Sequence, residues 1–246
     1  MLRHLFKKKT KHAAGSAEMA EMIENRLTDH ELSMKELKDG SRKRLATINK
    51  EFRHTFKFLK SYPRSITFFG SARFTEDHPC YIRARELAKR IVEETGYAVI
   101  TGGAGGIMEA ANRGAYEAGG KSIGMNIVLP HEQKMNEFLT ASVRFYYFFI
   151  RKVALSFSAE AYIYFPGGYG TMDEFFEIVT LMQTRKIPKV PIICVGRDFW
   201  KNVDTLSAAL RDDFQTISPG DEKIYHITDS DEEIVQIIKE AKLRRE

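Results

Sequence analysis

The stretch Ala161-Tyr162-Ile163-Tyr164-Phe165-Pro166-Gly167-Gly168-Tyr169-Gly170-Thr171-Met172-Asp173-Glu174 constrains the fold more than any other part of the chain. Its first five residues form an apolar run with the length of a buried parallel strand. Three glycines follow, and Phe175-Phe176-Glu177-Ile178-Val179-Thr180-Leu181-Met182 then carries helical apolar spacing. Strand, glycine turn and helix start are therefore predicted in immediate succession. Glycines let backbone amides approach a ligand that a Cβ would hold off. A helix start adds unpaired N–H groups and the positive end of a dipole, so the stretch reads as an anion site, most naturally for phosphate. A purely structural reading competes with this one. Thr171-x-x-Glu174 spells a capping box, in which Thr171 caps the helix and Glu174 folds back onto the Thr171 amide.

The same grammar recurs along the chain. Ile66-Thr67-Phe68-Phe69 runs into the turn Gly70-Ser71-Ala72-Arg73, and a helix follows from about Pro79 to Thr95. Tyr97-Ala98-Val99-Ile100-Thr101 runs into a glycine block beginning at Gly102. That block is no dinucleotide fingerprint, because counting from Gly103 the third glycine would fall at Met108; nor is it a P-loop, since no Gly-Lys-Ser/Thr follows. Further strands are predicted at 121–127, 142–146, 192–196 and, at an edge, 224–227. Helices are predicted at 148–155 and 199–213, with a last one from Ser230 that carries Ile234, Ile237 and Ile238. Strands alternating with helices predict an α/β fold, a Rossmann-like doubly wound parallel sheet with right-handed crossovers. Ligands of such sheets bind outside the carboxyl ends of the strands. Gly70, Ser71 and Arg73 lie at such an end, although Arg73 reads equally well as a surface arginine.

Ahead of this domain, read as residues 62–246, lies a helical N-terminal extension over 1–61. The net charge of +5 is concentrated there: residues 1–60 carry +7 and the remainder −2. Lys and Arg are interleaved with Glu and Asp, with no aromatic-rich recognition pattern, so a solvated helical face is favoured over nucleic-acid binding. Residues 1–15 read as a mobile basic segment. A helix is predicted from Ser16 to about Lys38 and ended by Asp39-Gly40. A second one, capped by Ser41, carries a stripe of Leu45, Ile48, Phe52, Phe56 and Leu59 that must pack on the domain or on another subunit. No apolar run approaches the ~20 residues of a membrane span, and the basic N-terminus lacks the apolar region of a secretory signal. Cys80 and Cys194 form no metal or redox spacing, and a reducing cytoplasm is the simplest setting.

Three polar features stand apart. Arg151 and Lys152 interrupt an apolar helix, which is costly unless they snorkel to solvent or reach a polar cavity. Glu109, early in the helix after the glycine block, either contacts a ligand or compensates the helix dipole. His131, in a polar loop, has no carboxylate placed to orient it and is given no role.

The string Pro-Gly-Gly-Tyr-Gly-Thr-x-x-Glu at 166–174 resembles the signature of the LONELY GUY family, formerly termed lysine decarboxylase-like. Two further blocks match: Gly102-Gly103-Ala104-Gly105-Gly106-Ile107-Met108-Glu109-Ala110-Ala111-Asn112-Arg113-Gly114-Ala115, and the pair Arg151-Lys152. The resemblance covers roughly residues 62–230. It implies hydrolysis of the N-glycosidic bond of a nucleoside 5′-monophosphate, such as AMP or a cytokinin riboside 5′-monophosphate, to free base and ribose 5-phosphate. It implies catalytic roles for Arg151 and Glu174, and substrate or phosphate contacts from Gly70, Ser71, Gly103, Glu109, Lys152, Gly168, Gly170 and Thr171. It also implies a homodimer or higher homo-oligomer and chemistry without cofactor or metal. Two rivals are a pyridoxal-phosphate lysine decarboxylase, for which no Schiff-base lysine motif is recognisable, and a non-catalytic nucleotide-binding or sensing protein on the same fold.

Overall fold

The computed structural model describes residues 34–128, 134–157 and 159–242. The helix predicted from Ser16, except for its last residues, and the loop histidine His131 lie outside them. Seven strands form one sheet: β1 (Ser65–Phe69), β2 (Ala98–Thr101), β3 (Ser122–Ile127), β4 (Ala141–Phe145), β5 (Ala161–Tyr164), β6 (Ile192–Cys194) and β7 (His226–Ile227). Their order is β4-β3-β2-β1-β5-β6-β7, and every pairing is parallel. The central strands are buried along their whole length, as a parallel sheet covered on both faces requires.

Alternate residues feed two cores. Ile66, Phe68, Val99, Ile163 and Phe165 pack with helices α2 (Pro79–Thr95), α3 (Ile107–Glu117) and α7 (Asp231–Glu240). Ile100, Met125, Tyr162 and Tyr164 face α4 (Phe148–Phe157), α5 (Tyr169–Gln183) and α6 (Arg197–Asp212) across the sheet, with Phe175 and Trp200 among them. The expected doubly wound parallel architecture is thus present. No helix of the described residues is long and apolar enough to cross a membrane.

One expectation is corrected. Met34–Leu59 is a single helix, α1, which runs through Asp39-Gly40 without a stop. Ending a helix on glycine uses its left-handed conformation, and Gly40 does not adopt positive φ, whereas Gly96 at the end of α2 does. A helical glycine costs only about 1 kcal/mol, which the inward stripe of α1 offsets. That stripe is also rotated from the predicted one. Ile48, Phe52, Phe58 and Leu59 pack on the core, while Leu45 and Phe56 are exposed.

Helices α2 and α3 pack at a close approach that fixes the glycine block. A Cβ at Gly114 would lie 2.0 Å from the carbonyl oxygen of Arg85 and 2.9 Å from the amide nitrogen of Lys89, both backbone atoms that cannot swing aside. Alanine normally stabilises a helix relative to glycine. Gly114→Ala is nonetheless expected to destabilise the protein by about 1–3 kcal/mol, read as a lowered melting temperature.

Candidate functional site

The strand order reverses at β1: β2, β3 and β4 extend to one side of it, and β5, β6 and β7 to the other. The crevice outside the carboxyl ends of β1 and β5 is therefore the topological switch point, where doubly wound sheets bind ligands. Three loops meet there. The β1–β5 pairing continues past the strand ends, as the Ser71 amide donates to the Pro166 carbonyl at 3.0 Å. The Ser71 carbonyl accepts from the Ile107 amide at 2.9 Å, which ties in the start of α3. Gly106, at φ 67°, faces the same segment so closely that a Cβ would lie 2.2 Å from the Ser71 carbonyl oxygen.

The loop before α5 departs from the capping box. The helix starts at Tyr169 with Gly168 as its N-cap, and no side chain caps it. Thr171 lies inside the first turn, its amide already bonded to the Gly168 carbonyl at 3.0 Å. Its hydroxyl packs 2.1 Å from where a Cβ on Gly167 would stand. The capping reading fails because the glycines let the helix begin three residues early, which carries Glu174 past the capping position. The amides of Tyr169 and Gly170 then stand in the first turn, where a helix has no carbonyl for them. Gly168 and Gly170 border open space: a Cβ on either would meet nothing within 4 Å. Packing explains Gly70, Gly102, Gly103, Gly106 and Gly167, each crowded by neighbouring atoms, but not these two.

Glu174 is 7% exposed, and its Oε2 is buried without a hydrogen-bond partner. Desolvation pushes its carboxyl up to about 7, against the opposing pull of Arg151 and Lys152. Both cations stand on α4. Arg151 donates from Nε to the carbonyl of Met125, in the second half of β3, at 2.8 Å. Its guanidinium also fills the place where a Gly102 Cβ would be, 2.4 Å from that point. Burial pulls the Arg151 pKa down and Glu174 supports it. Lys152 bridges Asp173 and Glu177, which lie one turn apart on α5, at 2.9 Å each.

The other predicted residues are spread around this centre. Gly103, at φ 75°, lies beneath the Asn126 side chain, and its amide donates to the Thr101 hydroxyl at 2.8 Å. Ser71 Oγ accepts from the Arg73 amide, and Arg73 itself is exposed. Glu109 accepts from the Tyr81 hydroxyl at 2.9 Å and lines a cleft of ≈ 590 Å³ with Ala72, Gly105, Asn136 and Phe138.

Sequence reasoning missed the polar groups that hold the glycine block. Asn112 accepts from the Thr101 hydroxyl at 2.6 Å and from Asn136 Nδ2 at 3.0 Å, and it donates to Ser122 Oγ at 2.9 Å. Asn126 is buried with Oδ1 unpartnered. The available signal was an asparagine at the carboxyl end of a buried strand, where burial of an amide is costly unless it serves something.

A family model described as "Possible lysine decarboxylase" matches residues 108–238, more than half of the chain. The "probable cytokinin riboside 5′-monophosphate phosphoribohydrolase LOGL5" of Oryza sativa is 33% identical over 106 residues, 42% of this chain and 43% of that protein. The match thus spans less than half of the rice protein's length. An uncharacterized protein of Archaeoglobus fulgidus is 30% identical over 43% of this chain and 69% of its own length. The Arabidopsis thaliana cytokinin riboside 5′-monophosphate phosphoribohydrolase LOG5 is 26% identical over 74% of this chain and 79% of its own. Among solved structures, the molybdenum cofactor carrier protein of Chlamydomonas reinhardtii superposes with a TM-score of 0.53 at 20% identity, covering 72% of this chain and 96% of that one. The molybdenum cofactor binding protein of Rippkaea orientalis gives 0.52 at 21%, over 72% and 94%. At such identities these two structures speak for the fold alone. The chain belongs to the family described as possible lysine decarboxylase, and within it is homologous to the LONELY GUY phosphoribohydrolases.

Proposed function

We propose that the protein hydrolyses the N-glycosidic bond of a nucleoside 5′-monophosphate, releasing free base and ribose 5-phosphate. One observation carries this reading: a buried carboxylate, Glu174, with an unpartnered oxygen and a pKa near 7, one turn beyond a helix start whose glycines border open space. The phosphate sits on the Tyr169 and Gly170 amides, which places the ribose deeper, toward Glu174. Cleavage of the bond between C1′ and the base nitrogen leaves positive charge on the sugar; the leaving base takes the bonding electron pair and a proton, and water supplies both that proton and the hydroxyl that C1′ gains. Ionised Glu174 stabilises that charge or accepts a proton from the attacking water, as carboxylates do in O-glycoside hydrolysis. A pKa close to working pH suits a base. Arg151 stays protonated and so is no proton donor; it orients Glu174 or holds the ribose or the leaving base.

The family's description points elsewhere, to pyridoxal-phosphate chemistry. That chemistry needs a lysine amine that can be deprotonated. Asp173 and Glu177 instead raise the pKa of Lys152 above its ordinary value, over the opposing effect of its partial burial. The exposed rings of Phe148, Phe149, Phe157 and Tyr169 support a homo-oligomer as the working form.

The test is base release from AMP, GMP, CMP and UMP, each beside its nucleoside. Release from a 5′-monophosphate and not from the matching nucleoside supports the reading. Tight nucleotide binding without release would make the protein a nucleotide sensor. Gly170→Ala tests the phosphate loop. Alanine fits sterically and should stabilise α5 by about 0.5–1 kcal/mol. The same variant should raise KM for the monophosphate on the order of tenfold, because the added methyl stands where the phosphate must come.

A further inference from the structure

Glu51 lies on the inward side of α1 between Ile48 and Phe52, both packed on the core. Burial raises its carboxyl above the ordinary glutamate value, so the position has a cost. Both of its oxygens are committed to the backbone of another element. Oε1 accepts from the Tyr146 amide at 2.8 Å, and Oε2 from the Tyr147 amide at 3.4 Å. These residues immediately precede α4. The carboxylate thus meets the helix at its positive end, and it satisfies amides that have no partner within the helix. The Tyr147 carbonyl in turn accepts the Arg151 amide at 3.3 Å. The turn that Glu51 grips is therefore the turn from which Arg151 hangs. Arg151 continues the line to the Met125 carbonyl. Beside the carboxylate, the Phe52 and Phe149 rings pack at a centroid distance of 6.3 Å.

We propose that Glu51 is a positioning residue: from α1 it fixes the first turn of α4 and so holds Arg151 against Gly102 and the Met125 carbonyl. Helix α1 is then part of the scaffold of the site and not an appendage to it. The kinetic consequence rests on the glycosidase reading; the structural one does not.

The test compares full-length wild type, Glu51→Ala and Glu51→Gln in two measurements. The first is base release from AMP across substrate concentrations, at a temperature where all three are folded. The second is backbone hydrogen exchange over residues 146–151. Glu51→Ala is expected to lower kcat on the order of 10- to 100-fold, since small misplacements of a catalytic group cost that much. KM should change less, because the phosphate loop belongs to α5. Exchange over 146–151 should accelerate while the central strands stay protected. Glu51→Gln keeps an acceptor oxygen and should recover part of both losses. Wild-type kcat in folded Glu51→Ala overturns the proposal, as does unchanged exchange over 146–151. If wild type releases base from no nucleotide, the glycosidase reading falls and exchange alone decides: faster exchange sustains the hold of Glu51 on α4, and unchanged exchange overturns it. Should Glu51→Ala fail to fold, the near-isosteric Glu51→Gln carries both comparisons.

Discussion

Glu174→Gln is expected to lower base release from AMP on the order of 10²–10⁴-fold, the range for losing a carboxylate that works in the transition state, and at the same time to make the protein more stable at pH 8. The second effect follows from the desolvated carboxyl. Its folded pKa is about 7 against an ordinary value of 4.5. Between those values the folded protein holds a proton that the unfolded chain has released, so stability falls as pH rises through the window. Above it, the buried charge costs up to roughly 3 kcal/mol, at about 1.4 kcal/mol per pKa unit. Glutamine carries no charge and is relieved of that cost. The melting temperature of the variant should therefore exceed wild type at pH 8, and the gain should vanish near pH 4.5. A variant both inactive and less stable at pH 8 would show that the carboxylate serves packing or hydrogen bonding instead.

Arg151→Met is expected to lower turnover on the order of 10²-fold and to move the acid limb of the pH–rate profile. In wild type, activity that depends on ionised Glu174 should rise as pH increases through about 7. The Arg151 cation favours that ionised form. Without it the carboxyl pKa climbs further, and the limb should move to higher pH by roughly 1–3 units, the usual effect of an adjacent opposite charge. Arg151→Lys should restore the charge but not the bond from Nε to the Met125 carbonyl, and so should recover only part of the loss. An unshifted limb in Arg151→Met would separate the two residues chemically.

The layout of the domain was legible because its signals are local. Short apolar runs end in glycine turns, amphipathic segments follow, and the alternation admits little besides a covered parallel sheet. Gly168 and Gly170, which border open space at the start of α5, were legible as a glycine turn for the same reason. The capping box was misread because helix starts respond to backbone freedom as well as to cap chemistry: glycines at 167, 168 and 170 let α5 begin at Tyr169. Gly40 misled in the opposite sense, since a glycine stops a helix only where the chain needs a left-handed turn. What could not be read at all depends on distant partners. Arg151 is held by a carbonyl 26 residues earlier in the chain, Asn112 by Thr101, Ser122 and Asn136, and the start of α4 by Glu51 on a different helix. No periodicity encodes such pairings.

Adenine released from AMP at pH 8, by wild type and by Glu174→Gln side by side with adenosine as the control substrate, decides whether Glu174 and the phosphate site act together. Adenine is expected from AMP with wild type, at least about 10²-fold less with Glu174→Gln, and none from adenosine with either protein. Equal release by the two proteins would contradict the assignment of Glu174, and equal release from adenosine would contradict the phosphate site at the start of α5.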